Sequence, residues 1–470
     1  MNDLKEYYRS SSLNMILELT NACNLRCKYC FENYQTAQRK YSIMTEATLK
    51  EAIDFLLEDR LNCHLTFFGG EPLLCKELII LGIRYGNKIA RKGKKYITYS
   101  IVTNGTELDD EFISVLNDNN VNVIYSFDGN KFSQNKYRPF ISGKGSYDIV
   151  VDNLKKLLKT RKDERYGHLI VRPTIISTTV SLLNDIYSEL IELGCREISF
   201  SLVSADESKD YAIKKDDLNS LRNAYDKMVE NYYCELSKKY SCNKFFESIL
   251  ERVESNSVNK EFCDCGKRYI AIDVKGNVYP CEGFIGVEEF KMGDIINKEL
   301  ERSWVHPENV DENIECMNCW ARYLCGGSCY HEAWMRTGQI NGRDKLVCET
   351  YKIAFEYALK LYIKLKKENM NIKEIIKEGL LPEKSIPFIN KNIIKRIECE
   401  TIYVGDGVNN RFITLNETAQ RVLALCDGNN NLSDITNIMI NEFECEYDIY
   451  SDISEIISSF LDAGIIKLSV

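Results

Sequence analysis

Cys23-Asn24-Leu25-Arg26-Cys27-Lys28-Tyr29-Cys30 is the stretch on which the reading of the whole chain turns. It follows at once on an apolar run, Met15–Leu19, that reads as a strand. Three thiolates at this spacing can wrap one loop around three irons of a [4Fe–4S] cluster and leave the fourth iron without a protein ligand. The competing reading is a structural zinc knot. Zinc closes its shell with four ligands in paired Cys-x-x-Cys units, which this triplet is not.

Working outward from that loop, strand-like runs alternate with amphipathic stretches as far as about Val203. The strands are predicted at Met15–Leu19, Leu65–Phe68, Tyr99–Thr103, Val121–Ser126, Leu169–Thr174 and Glu197–Leu202. Between them, Glu46–Leu57, Glu77–Ala90, Glu111–Asp118, Tyr147–Lys159 and Val180–Leu193 repeat apolar residues at helical spacing. Such alternation predicts an α/β fold with a parallel sheet, here a partial (β/α)6 TIM barrel rather than a full eight-stranded one. Functional residues then belong at the carboxyl ends of the strands.

Candidate residues do stand there. Gly69-Gly70-Glu71-Pro72 follows the second strand, Thr103-Asn104-Gly105 ends the third, and Ser126-Phe127-Asp128-Gly129 ends the fourth. Each alone is an ordinary turn sequence. Together with the cysteine loop they resemble the radical S-adenosylmethionine (SAM) superfamily. The resemblance implies that the open iron chelates the amino and carboxylate groups of SAM, and that cleavage gives a 5′-deoxyadenosyl radical. It also implies SAM contacts from Tyr29, Gly69, Gly70, Glu71, Ser126, Asp128 and Arg138. Arg138 suits the carboxylate, by bidentate pairing; an exposed structural arginine is the plainer alternative. A reductase, flavodoxin or ferredoxin is the electron donor that such chemistry implies.

A second constellation lies downstream. Cys265 is followed by Gly276 and Cys281, then by Cys316-x-x-Cys319-x5-Cys325-x3-Cys329 and finally by Cys348. Cysteines scattered at random would almost never produce that quartet. The pattern resembles the SPASM domain, an accessory fold carrying two further [4Fe–4S] clusters, which makes three in all. By that resemblance Cys316, Cys319, Cys325 and Cys348 hold an outer cluster, and Cys265, Cys281 and Cys329 an inner one. Cys263 is either the fourth inner ligand or a free thiol. Zinc is the alternative occupant. Cys63, Cys75, Cys195, Cys234, Cys242, Cys399, Cys426 and Cys445 lack metal spacing and default to buried, apolar behaviour. His64, His168, His306 and His331 share no useful spacing and receive no role.

The last stretch reads as a separate small module. Strands at Thr401–Val404 and Phe412–Leu415 flank Gly405–Asn410, a hairpin signal. Three helical patterns follow, with Asn416 as an N-cap, Gly428 and Gly464 as stops, and Ile453, Ile456, Ile457, Phe460 and Leu461 on one face of the third. A winged-helix-like shape results. Phe412–Ala419 and Leu425–Gly428 resemble the peptide-chaperone fold of quinone-cofactor biosynthesis, which implies recognition of a precursor peptide through its leader by β-strand addition. DNA binding and mere packing compete with that reading, the first disfavoured by the few Lys or Arg on the last helix.

The expected organisation is a radical SAM barrel over 1–215, a helical bridge over 216–260, the SPASM segment and its following helix over 261–368, and leader recognition over 385–470. The resemblance points to a maturase of a ribosomally made, Cys-rich peptide, forming Cys thioether crosslinks of the ranthipeptide–sactipeptide type. Anaerobic sulfatase-maturing (formylglycine-generating) enzymes share the barrel and clusters. They carry Asp directly after the cysteine numbered here Cys281, where this chain has Glu282, the one candidate for a catalytic base. A C–C crosslinking cyclase and a multi-cluster electron carrier also compete with the thioether reading.

Composition agrees with an enzyme of this kind. Nineteen cysteines in 470 residues, with no signal-like N-terminus, point to metal chemistry in a reducing, cytoplasmic setting rather than to disulfides. A net charge of −9 disfavours nucleic acid as a partner. No apolar run is long enough to span a membrane.

Overall fold

The computed structural model describes residues 12–470 apart from 32–39, 59, 61, 94, 162–166, 237–241, 301–306, 371, 373–385, 390–392, 399–400, 407–410, 444–448, 463–464 and 470. The chain forms two compact units, Met1–Ile376 and Lys377–Val470.

The first unit is α/β around one large sheet. Its strands are β1 (Ser12–Thr20), β2 (Asn62–Gly69), β3 (Tyr96–Thr103), β4 (Asn122–Tyr125), β5 (Leu169–Val171), β6 (Thr174–Ile175), β7 (Glu197–Ile198), β8 (Ser201–Leu202), β9 (Cys242–Asn243), β10 (Tyr269–Ile272), β11 (Asn277–Tyr279), β12 (Gly293–Asp294) and β13 (Glu299–Leu300). The spatial order is β13-β12-β11-β10-β1-β2-β3-β4-β5-β7-β9. From β10 through β1 to β9 every pairing is parallel; β10 to β13 form an antiparallel meander. β1 is buried on both faces, at Leu13, Met15, Leu17 and Leu19 on one and Ile16 and Glu18 on the other. That is expected of a strand inside a helix-covered parallel sheet.

Helices cover the sheet as the periodicity predicts. Glu46–Leu57 begins at the Thr45 cap, whose side chain accepts from Thr48 N at 3.1 Å. Lys76–Gly93 buries Ile79, Gly82, Ile83, Gly86 and Ala90, a stripe at three- and four-residue spacing.

Two departures from the expected elements are local. The predicted strands Leu169–Thr174 and Glu197–Leu202 are each broken, and their second halves pair with one another as β6–β8. Pro173 sits at the first break and has no N–H for the ladder. The helix predicted over Val180–Leu193 begins as a 3₁₀ turn, Ser177–Leu182, and continues as Leu183–Glu192. The larger addition is one of topology. The cysteine-rich segment joins the barrel sheet, with β10 parallel to β1 in the register Asn14↔Tyr269 to Leu17↔Ile272.

The second unit has an antiparallel sheet of β15 (Ile393–Glu398), β16 (Thr401–Asp406) and β17 (Arg411–Leu415), and a pair β14 (Ile386–Ile389) with β18 (Ile466–Ser469). Its helices are Glu417–Leu425, Leu432–Phe443 and Tyr450–Asp462. Asn416 caps the first through Ala419 N at 2.8 Å. Ile453, Ile457 and Phe460 are buried in its core, with Ile456 and Leu461 packed against it. Gly464 and the hairpin tip at 407–410 lie outside the described residues. Among those that are described, no helix is long and apolar enough to cross a membrane.

Candidate active site and cluster cradles

The cysteine loop leaves β1 at Thr20 and is fastened on two sides. On one side Gly70 N donates to Thr20 O at 2.9 Å and Glu71 N to Ala22 O at 2.7 Å. A Cβ on Gly69 would stand 2.2 Å from Thr20 O, and one on Gly70 2.2 Å from Ala22 O. Gly69 also adopts φ +136°, which L side chains rarely adopt. The two glycines are therefore required by the close approach of backbone to the cysteine loop. On the other side, Arg26 N donates to Pro139 O and Lys28 N to Tyr137 O, both at 2.8 Å. Arg138 is thus strapped beside Cys27.

Glu71 ties successive strand ends together. Its buried carboxylate accepts from Thr103 Oγ1 at 2.6 Å, Leu73 N at 3.0 Å and Asn104 N at 2.7 Å. Burial outweighs those three donors and holds the carboxyl up to about 7. Asn104 in turn donates to Asn24 Oδ1 at 3.1 Å and approaches Cys23 Sγ at 3.7 Å. The Thr-Asn-Gly turn alone gives Asn104 no such part; its place at a strand end is the one signal that points to it.

Tyr29, Asp128 and Arg138 form one buried network. Tyr29 OH donates to Asp128 Oδ2, Arg138 Nη1 donates to Tyr29 OH at 3.3 Å, and Arg138 lies 3.8 Å from Asp128 Oδ1. Asp128 Oδ1 also accepts from Thr174 N at 3.1 Å, across the break between β5 and β6. Arg138 is buried, not exposed, and its Nε has no hydrogen-bond partner among the described residues. Ser126 is half-buried, with its N–H on Thr103 O at 2.9 Å.

The three thiols of the loop are half-buried. Burial pushes Cys23 up to about 12, with Glu71 adding to it; burial also raises Cys27, opposed by Arg138. Such a trio is costly to ionise without a cation, which iron supplies. The unpartnered Nε of Arg138 offers a buried donor to an anionic group. On both counts the residues fit the cluster and the carboxylate of SAM.

Downstream, charge interactions sort eight cysteines into two sets. Cys265 shares side-chain hydrogen bonds with Cys263 and Cys281, and Cys329 feels Cys281 and Cys263. Cys325 feels Cys316 and Cys319, and Cys348 feels Cys325 and Cys316. The structure therefore brings Cys263 together with the inner cysteines. Among the described residues no group of three or more His, Cys, Asp or Glu side chains could hold a single metal ion. A four-iron cluster takes each thiolate on a different iron, so its ligands do not converge on one point.

Glu282 stands beside the inner set, where Tyr269 OH donates to its Oε2 at 2.8 Å. Glu332, not singled out from sequence, is half-buried one turn after Cys329; desolvation holds it up to about 7 against Arg336 and Ser204. Only its helical spacing from Cys329 hints at this. Of the cysteines without metal spacing, Cys63, Cys75, Cys195 and Cys426 are buried, whereas Cys234 is exposed on the long helix Asp217–Leu236. Cys399, Cys445 and the side chain of Cys242 lie outside the described residues, as does His306. His64 bonds Thr98 and Ser100, His168 bonds Glu197, and His331 is packed among Phe31, Phe284 and Trp334.

Residues 17–172 match the Radical SAM superfamily. The chain is an enzyme with a radical SAM domain. It takes SAM and a [4Fe–4S] cluster. Residues 400–466 match the coenzyme PQQ synthesis protein D (PqqD) family. The enzyme is 26% identical over 379 residues to a cysteine-type anaerobic sulfatase-maturating enzyme of Clostridium novyi (strain NT), covering 73% of this chain and 95% of that one. It is 25% identical to the radical SAM cyclopropyl synthase TigE of Paramaledivibacter caminithermalis, covering 72% of each. The solved structure of native anSMEcpe with bound AdoMet superposes with a TM-score of 0.64 at 22% identity, covering 76% of this chain and 100% of that one; it shares the fold. The resemblance to radical SAM peptide maturases is thus upheld by the radical SAM domain, the PqqD-like domain and the sulfatase-maturating relatives.

Proposed function

We propose that the enzyme modifies a ribosomally synthesised, Cys-rich precursor peptide and installs Cys thioether crosslinks. The observation that carries this reading is the conjunction, in one chain, of a radical SAM barrel, two sets of four gathered cysteines and a PqqD-like unit. We assign radical chemistry to 1–215, the bridge to 216–260, two auxiliary clusters to 261–368 and leader recognition to 385–470.

Cys23, Cys27 and Cys30 would hold the first cluster; Cys263, Cys265, Cys281 and Cys329 the second; Cys316, Cys319, Cys325 and Cys348 the third. When bound, these clusters and SAM supply a 5′-deoxyadenosyl radical and an acceptor for one electron. Arg138 binds the SAM carboxylate, and Tyr29 and Asp128 hold Arg138 in place. The Gly69-Gly70-Glu71 turn fixes the loop against Asn104, and Ser126 lines the end of β4. Thioether formation releases one hydrogen atom from carbon, one proton from the thiol and one electron. Glu282 would take that proton; its position beside the inner cysteines supports this reading. A flavodoxin, ferredoxin or reductase supplies the starting electron.

Mass spectrometry of a co-expressed precursor tests the product. Each bridge should remove two hydrogens and block alkylation of the bridged cysteine. A two-hydrogen loss with every cysteine still alkylatable rejects the thioether in favour of a C–C bond. The second reading, formylglycine formation, is favoured by the sulfatase-maturating relatives; an aldehyde at a single Cys or Ser would establish it. Removing residues 386–470 should leave SAM cleavage intact and abolish tight binding of the leader-bearing precursor, because the unit acts by raising local concentration. Equal affinity in the truncated enzyme rejects the leader role.

A further inference from the structure

We infer that Arg343 is the counter-charge of the outer auxiliary cluster and sets its reduction potential. This rests on the reading that Cys316, Cys319, Cys325 and Cys348 hold four irons. Arg343 is buried, at 8% exposure, and its Nε donates to Cys316 Sγ at 3.2 Å. Nη1 is spent on Gly342 O at 2.9 Å, while Nη2 is buried without a hydrogen-bond partner among the described residues. The chain at Gly327 runs so close that a Cβ there would stand 3.0 Å from Nη2. The guanidinium is therefore held in place by packing as well as by bonding.

A guanidinium is always charged, and a buried charge is stable only when paired. Among the described residues Arg343 makes no ion pair with a carboxylate. The negative groups at hand are thiolates: Cys316 in direct contact, and Cys348, which Arg343 also favours in its ionised form. Four thiolates on a cluster make a site that becomes one unit more negative on reduction. A fixed cation with an N–H on a ligand sulfur stabilises the reduced form more than the oxidised form, so it raises the potential.

The test is an EPR-monitored redox titration of the full-length, anaerobically reconstituted enzyme, without substrate or turnover. The outer cluster's signal is the one lost in Cys348→Ala. In Arg343→Met the ratio of reduced to oxidised outer cluster, at the wild-type midpoint, should fall about tenfold, or about 59 mV for one electron. Arg343→Gln keeps an N–H without the charge and should fall between the two. The other two midpoints should stay in place. Ratios within twofold of wild type in both variants, with iron content unchanged, overturn the inference and leave the cluster reading intact. Should the Arg343→Met enzyme shed the outer irons alone, the counter-charge is supported and the Gln variant carries the potential measurement. Loss in both variants of the irons common to all three sites would instead mark a folding role and overturn it. Wild-type enzyme with only eight irons refutes the cluster reading itself.

Discussion

The loop at 21–30 and the segment at 307–348 both gather cysteines, but by opposite means. The loop is fastened by backbone: Gly70 and Glu71 bond its entry, Pro139 and Tyr137 its exit, and Glu71 and Asn104 brace it from the neighbouring strands. Its shape is inherited from a parallel sheet. The segment's backbone ties are sparser: Val310 N donates to Lys260 O at 3.0 Å and Asn259 N to Tyr323 O at 3.1 Å. Its helices Ile314–Met317 and Arg322–Cys325 are four residues each and Tyr330–Thr337 is eight, all below the length at which a helix holds itself together. Its buried apolar residues from 307 to 344 are few: Val310, Ala321, Tyr330 and Ala333 beside Cys316. A site formed by the fold can wait for its metal; a fold formed around the site cannot.

Chelating the iron should therefore separate the two regions. Amides over 314–337 are expected to exchange about a hundredfold faster in the iron-free enzyme, while those of β1 to β3 change little. Equal loss of protection in both would erase the distinction. Replacing Cys23, Cys27 and Cys30 together by Ala should remove four irons and all SAM cleavage at a stability cost of no more than about 2 kcal/mol. Surviving cleavage would sink the assignment of the active site, and wholesale unfolding the claim of backbone support.

Glu71→Gln probes that support more finely. An amide turned towards three donors leaves one of them opposed, at about 1–3 kcal/mol in chemical denaturation near pH 5. The cost should shrink at higher pH. Burial lifts the wild-type carboxyl from 4.5 to about 7, so the stability from its bound proton is full below 4.5 and lost as pH rises through 7. A pH-independent difference would mean that Glu71 is already ionised in the fold. The smallest effect belongs to the second unit, where Asn416→Ala should cost about 1 kcal/mol through loss of one cap. Any change in SAM cleavage from that substitution would contradict a purely local role.

Most of what can be written in a short window was legible. The cysteine spacings, the turn sequences at strand ends and the helices at 46–57 and 147–160 all rest on residues a few positions apart. What escaped depends on distant partners. Nothing near Tyr269–Ile272 announces that this strand pairs with β1, and nothing in Ile386–Ile389 announces β18. Asn104 and Glu332 matter through neighbours contributed by other strands or by burial, which no local pattern encodes. Residue type alone puts Cys234 in the interior, yet an amphipathic helix sets its outer face by phase, and position 234 falls on that face.

The pairing of β1 with β10 also bears on how the chain is made. Val274 N reaches Glu18 Oε2 at 3.2 Å across 256 residues of sequence. During synthesis at roughly 5–20 residues per second, β1 would leave the ribosome some tens of seconds before the strand that covers its open side. Through that interval an apolar edge, buried on both faces in the finished molecule, is a template for any passing strand. Slow-growing or chilled expression hosts lengthen the exposure, so recovery of the folded barrel should rise with the supply of nascent-chain chaperones, apart from any need for iron.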